Sequence, residues 1–261
     1  MKVLRATRPN AGVAVWYARK LQALIDEMSG SYQYWIKASW RADTPRLNQA
    51  QDAAPIDGLR RTMDRLGKHW ASRFDKLSDE LTKRFADKSI NHTNATMQAA
   101  LNDAGFSIQF KMTPQVREAL SLVIADNVGL IKTIPQKYLA KVEQQVWNAV
   151  AAGSDLATLT KELQHSYGVT YKRAAFIARD QNAKAHAVIE AARRYDLGIR
   201  RAQWVHSGAG KEPRPSHVKA GRDKLEFDID KGAFLDGVWT LPGHEINCRC
   251  TSRAIVDGWE D

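Results

Sequence analysis

The last quarter of the sequence gathers His206, His217 and His244 with the two cysteines of the chain, Cys248 and Cys250. Thiolates and imidazoles are the donors that zinc prefers. If Cys248 and Cys250 lie on a strand, positions two apart share a face, so both sulfurs point one way while Asn247 and Arg249 point the other. With His217 they make a candidate structural zinc site, the fourth ligand coming from His206 or His244. Cys-x-Cys with a distant histidine is a weaker signal than paired Cys-x-x-Cys knuckles. The competing reading makes both cysteines small buried hydrophobes and gives His217 a structural hydrogen bond. A cysteine–histidine nucleophile is the third chemistry these types allow, but no nucleophile elbow, orienting third residue or spaced carboxylate pair accompanies it. Asp223, Glu226, Asp228 and Asp230 read as a solvated, glycine-bounded turn. Gly208-Ala209-Gly210-Lys211 has neither the Walker nor the dinucleotide spacing. The residues therefore favour binding over catalysis, with no cofactor indicated beyond zinc.

These side chains need a scaffold, and its pattern is mostly helical. From Val13 to about Trp40 the apolar residues Val13, Trp16, Tyr17, Leu24, Ile25, Met28 and Trp35 recur at three- and four-residue steps. Pro45 through Ala54 reads as a loop, and Pro55 opens a second helix. Its stripe, Ile56, Leu59, Met63, Leu66, Trp70, Phe74, Leu77, Leu81 and Phe85, is unbroken. At ~1.5 Å per residue it is about 45 Å long, which predicts a helical hairpin forming an extended arm. Trp16, Trp35, Trp40 and Trp70 suit burial against another chain. A compact helical bundle is the alternative.

Asn91 to Asn102 reads as helical and Ser107 to Lys111 as a short strand. Thr113-Pro114 starts a helix that ends near Asn127-Val128-Gly129. Pro135 opens another that closes at Gly153, Ser154 caps one closed by Gly168, and Thr170 caps the last, which runs to Leu197. Beyond Gly198 the period changes to two: Ala202, Trp204 and His206 alternate with Arg201, Gln203 and Val205. Glu245 to Val256 reads as a strand or strand pair. The expected fold class is α+β, with a helical arm over residues 1–90, a helical bundle region over 91–165 and a small α+β domain over 166–261.

The composition, 44% hydrophobic and 26% charged, is that of a folded globular chain. The most apolar run, Ala119 to Ile131, is broken by Asp126 and Asn127 and is too short to span a membrane. Neither a secretory signal nor room for a further domain after Cys250 is expected. Two cysteines exclude a disulfide framework. The net charge of +10 points to a polyanionic neighbour, DNA or an acidic protein surface. Arg173, Arg179, Lys184, Arg193 and Arg194 are the candidate phosphate contacts; any DNA binding would be independent of sequence and steeply salt-sensitive. A solvated basic helix is the competing reading.

One ordered set of motifs goes further. Ala178-Arg179-Asp180 precedes Trp204; Glu212-Pro213-Arg214-Pro215-Ser216-His217 follows, then Gly221, Phe234, Pro242 and Ile246-Asn247-Cys248-Arg249-Cys250. Over residues 165–256 this resembles the phage Mu F-like head morphogenesis family. Many relatives have an aspartate soon after the tryptophan, where this chain has His206-Ser207-Gly208. The resemblance implies a minor head protein of a tailed bacteriophage, present in few copies in the virion and in the host cytoplasm during assembly. It implies portal and capsid proteins as partners, with a role in head assembly or DNA delivery. The alternatives are a non-specific DNA-binding protein and a toxin-like effector enzyme.

Overall fold

The computed structural model describes residues 1–42, 54–210 and 212–258, with residues 54–56 described as backbone only. The loop expected from Pro45 onward and the position of Lys211 lie outside the described residues. The fold is α+β and helix-dominated. Four long helices are α1 (Ala11–Ala42), α2 (Ala54–Asn102), α3 (Pro114–Ala151) and α4 (Leu156–Asp196), and a short one is α5 (Pro215–Arg222). The strands are β1 (Lys2–Val3), β2 (Arg201–Val205), β3 (Glu226–Asp228), β4 (Ala233–Leu235), β5 (Val238–Thr240) and β6 (Thr251–Val256).

Several expected breaks are absent. α2 continues through Asn91, α3 through Gly129 and Pro135, and α4 through Gly168. Proline costs a helix interior about 3 kcal/mol and glycine about 1 kcal/mol. In α3 that cost is met by a stripe on both sides of the proline, since Ile131, Ile134, Tyr138, Val142 and Val146 are all buried. The cap at Thr113 forms, its hydroxyl accepting from the Val116 amide at 3.3 Å. At the start of α4 the cap is Asp155, not Ser154: its Oδ1 accepts from the Thr158 amide at 2.7 Å. A carboxylate there also complements the positive end of the helix dipole. Residues 107–111 form no strand. The alternation of Phe106, Ile108 and Phe110 reports packing of one side on the core, not a hydrogen-bonded ladder.

The chain divides into two compact units, each assembled from separated stretches. Residues 1–90, expected as one arm, contribute to both. One unit comprises Trp16–Leu81 and Asn127–Ile177. Its core takes Tyr17, Leu21, Ile25, Met28, Tyr32 and Ile36 from α1, and Leu59, Met63, Leu66, Trp70 and Phe74 from α2. Three buried side-chain pairs cross this core: Tyr17 donates to Asn127 Oδ1 at 2.9 Å, Tyr138 to Ser29 at 2.9 Å and Ser166 to Gln145 at 2.9 Å. Trp40 and Trp70 are core residues, which corrects their reading as a surface for another chain. Trp35, 43% exposed, carries the Arg65 guanidinium 5.0 Å over its ring.

The other unit comprises Met1–Val15, Thr82–Asp126 and Ala178–Asp261. Its sheet is antiparallel in the order β1-β6-β2-β3, and β4 and β5 form a separate hairpin. The first residues of the chain close this sheet: Lys2 pairs with Val256, Val3 with Ile255, and the Leu4 amide donates to Ala254 O at 2.9 Å. Just beyond, Thr7 joins a buried polar cluster. Its hydroxyl donates to Glu190 and lies 3.1 Å from His186 Nε2, while Thr93 Oγ1 lies 3.1 Å from His186 Nδ1. Since the one Thr7 proton goes to the carboxylate, Nε2 is the protonated nitrogen and Nδ1 accepts from Thr93. Arg194 completes the cluster, donating to Glu190 at 2.8 Å and to Ser252 Oγ at 2.6 Å.

Burial pushes the His186 pKa down, against the opposing pull of Glu190. The unfolded chain therefore takes up a proton near pH ~6.5 that the folded protein refuses. Stability is full above that pH and falls as the pH drops towards the folded value. Urea unfolding at stepped pH from neutral to mildly acid checks this. The His186→Gln variant is expected to flatten the slope just below pH ~6.5, and an unchanged slope would contradict the assignment.

Candidate functional site

Four segments of the sheet-containing unit converge on one buried cluster. β2 supplies Trp204, α5 supplies His217, the turn before β6 supplies Glu245 to Cys250, and α4 supplies Asp180. Pro215 sits in the first turn of α5, where its fixed φ suits a helix start and its missing N–H costs nothing. Two residues on, His217 points into the core at 2% exposure. Gly221 lets α5 approach β2: a Cβ there would lie 2.4 Å from His206 Cβ and 2.8 Å from its backbone nitrogen.

The cysteines are not on a strand. β6 begins at Thr251, and residues 242–247 turn, with Asn247 in the left-handed region at φ 61°. That turn is pinned at its amides. Asn247 N donates to Asp180 Oδ1 at 2.6 Å, Cys248 N to Glu245 O at 2.9 Å, and Gly243 N to Cys248 Sγ at 3.4 Å. The sulfurs share a side as the sequence reading expected, but because of the turn and not through strand alternation. His217 Nδ1 lies 3.5 Å from Cys248 Sγ and 3.9 Å from Cys250 Sγ. All three residues are buried, and their donor atoms lie within 4.8 Å of one another.

The proposed fourth ligands do not join this group. His244 is exposed, and His206 is half-buried with its Nδ1 accepting from the Gly208 amide at 3.3 Å. Sequence reasoning missed Glu245. Its Oε2 lies 3.7 Å from His217 Nε2 and 3.1 Å from Arg214 Nε. Both His217 Nε2 and Glu245 Oε1 are buried without a hydrogen-bond partner. Arg214 also donates to Ile246 O at 3.1 Å, so the Pro-Arg-Pro turn and the cysteine turn hold each other. The Trp204 indole packs edge-on against the His217 ring, with centroids 5.0 Å apart at 74°.

The hydrogen bond between the two thiols pulls the Cys248 pKa down to about 5 and pushes that of Cys250 up. Burial raises both, and the Gly243 amide further favours the Cys248 thiolate. The pair thus releases its first proton easily and retains the second. Such a pair can donate to a soft cation.

The candidate phosphate contacts divide. Arg179 is exposed, Arg173 is half-buried, and Lys184 pairs with Asp180 at 3.3 Å. Arg193 and Arg194 are 2% and 4% exposed, which corrects their reading as DNA contacts. Arg193 donates to Asn94 Oδ1 at 2.8 Å and to Lys111 O, and stacks 4.9 Å from the Phe110 ring centroid. Both guanidiniums are internal fasteners with no face free for phosphate.

The residues that meet here are those of the ordered motif set, and residues 140–253 match the family described as Phage Mu protein F like protein. This stretch is similar to a phage Mu F-like domain. Within that domain, Asp180, Arg214, His217, Gly221 and Cys248 act together in the geometry above. A Haemophilus influenzae protein described as uncharacterized is 28% identical over 255 residues, covering 94% of this chain and 54% of that protein. An Enterococcus faecalis protein described as NAD(+)--arginine ADP-ribosyltransferase EFV is 25% identical over 138 residues, covering 47% of this chain and 28% of that protein. The chain thus spans about half or less of the length of these relatives. No solved structure matches. Among the described residues no helix is long and apolar enough to cross a membrane.

Proposed function

We propose that this phage head morphogenesis protein is a minor head component that works by docking on the portal protein, during head assembly or DNA delivery. The observation that carries this reading is an apolar face left in the open on the family-matching segment. Phe234 of β4 and Trp239 of β5 are directly opposed across the hairpin, ring centroids 5.2 Å apart, at 57% and 61% exposure. Val238 beside them is 51% exposed. Exposed aromatic pairs on a short rigid hairpin lose little side-chain entropy on burial, and tryptophan anchors dominate many interfaces. The expected result is that the full chain binds the purified cognate portal protein. The Phe234→Ser, Trp239→Ala variant, folded by circular dichroism, should bind about 30-fold more weakly, an anchor's ~2 kcal/mol. Equal affinity of variant and parent for the portal would contradict the docking face.

Two other readings have specific support. The net charge of +10 favours an additional contact with packaged DNA, carried by exposed groups such as Arg179 and not by Arg193 or Arg194. Arginine ADP-ribosylation is suggested by the name of the Enterococcus relative. We assign the shared stretch to the head-type module and the transferase activity to the remainder of that protein, most of which has no counterpart in this alignment. Turnover of NAD+ by the purified chain would reverse that assignment.

A further inference from the structure

We propose that His217, Cys248 and Cys250 bind a zinc ion through Nδ1 and the two sulfurs, with Glu245 as the carboxylate that orients the imidazole from its other nitrogen. The spacing is what the metal requires. Zinc–sulfur and zinc–nitrogen bonds of about 2.3 and 2.05 Å, meeting at a tetrahedral angle, put a nitrogen and a sulfur ~3.6 Å apart. The observed separations from His217 Nδ1 are 3.5 and 3.9 Å.

A second, independent feature lies on the far side of the ring. Metal-bound histidines usually donate their other N–H to a carboxylate or carbonyl, which fixes the tautomer. His217 Nε2 faces Glu245 Oε2 at 3.7 Å, and neither Nε2 nor Glu245 Oε1 has a hydrogen-bond partner. With Nδ1 committed to a metal, the imidazole is the Nε2–H tautomer, and its proton is directed at Glu245. Arg214, 3.1 Å from that carboxylate, holds it in place. Charge also balances, because two thiolates neutralise the dication in a site where all three ligand residues are buried. Three protein donors leave one coordination position for a water molecule or small anion. The ion ties α5 to the turn before β6, two segments otherwise joined through Arg214 and Glu245.

The test uses the full chain purified with reductant and without chelator. Elemental analysis should return about one zinc per chain. Cobalt(II) added to chelator-stripped protein should give intense thiolate charge-transfer bands and the visible bands of a tetrahedral ion. Cys248→Ser and Cys250→Ser should each abolish the charge-transfer bands at stoichiometric cobalt. His217→Cys should retain the metal and strengthen those bands by adding a third thiolate. Glu245→Gln should keep the site but weaken the metal about 10- to 100-fold, as loss of an outer-shell partner does. Folded parent protein that holds no zinc and shows no cobalt charge transfer overturns the proposal. Retention of the metal by the Cys248→Ser, Cys250→Ser double variant overturns it too. Because these readouts are made on the purified chain and its variants with no portal protein present, they stand apart from portal binding.

Discussion

Arg194→Ala is expected to destabilise the sheet-containing unit by about 3–5 kcal/mol, the cost of removing one partner of a buried ion pair. Arg194 and Glu190 are each 4% exposed by side chain and 2.8 Å apart. Alanine would leave the Glu190 carboxylate buried with only the Thr7 hydroxyl and the nearby His186 as company. Ser252 would lose the guanidinium contacts to its Oγ and its carbonyl at 2.6 and 3.2 Å. The double variant Glu190→Leu, Arg194→Met removes both charges and should recover much of the loss, since an apolar pair of similar volume is often no worse than a buried salt bridge. Urea unfolding of parent, single and double variants measures this. A single variant within ~0.5 kcal/mol of the parent, the range of a surface change, would mean that Arg194 is solvated.

Trp204→Ala should cost a comparable ~3–5 kcal/mol, the range for deleting a large buried aromatic. The indole is 1% exposed, with His217 edge-on at 5.0 Å and Phe227 at 6.2 Å. Its removal opens a cavity directly against the histidine of the cysteine cluster, so the loss should appear in both stability and cobalt binding. Trp204→Phe keeps part of the packing and should cost distinctly less. Thermal unfolding with a parallel cobalt titration separates the two effects. Loss of stability with fully preserved metal affinity would mean that the tryptophan does not position His217.

What the sequence made legible was local. The unbroken stripe of α2, the Thr113 cap and the period-two run at β2 each depend on residue type and short spacing, and the grouping of His217 with Cys248 and Cys250 rested on residue type. What it hid depended on distant partners. Pro135 and Gly168 looked like ends because propensity speaks for an isolated helix, whereas the buried stripes on either side belong to one continuous packing surface. Arg193 and Arg194 looked like solvent-facing cations because, Glu190 apart, their acceptors Asn94, Lys111 and Ser252 lie 58 to 99 residues away. Glu245 carried no motif at all; only the turn at Asn247 brings it to the imidazole. The pairing of Lys2 and Val3 with Val256 and Ile255 was equally invisible, since a two-residue strand has no period to detect.

The motif set gained physical content from the structure. Asp180 of the Ala-Arg-Asp step holds the Asn247 amide, Arg214 of the Pro-Arg-Pro turn holds Glu245 and Ile246, and Gly221 admits the end of β2. Residues spread over some 70 positions therefore serve one purpose, fixing the turn that carries the cysteines.

The central claim is that the chain is a component of the phage head. Quantitative mass spectrometry of purified proheads and virions, produced with the chain present, addresses it most directly. Peptides from this chain should accompany the portal protein in the particles, at a small fraction of the major capsid protein. Their absence from both particles, while the chain accumulates free in the same lysate, would contradict it.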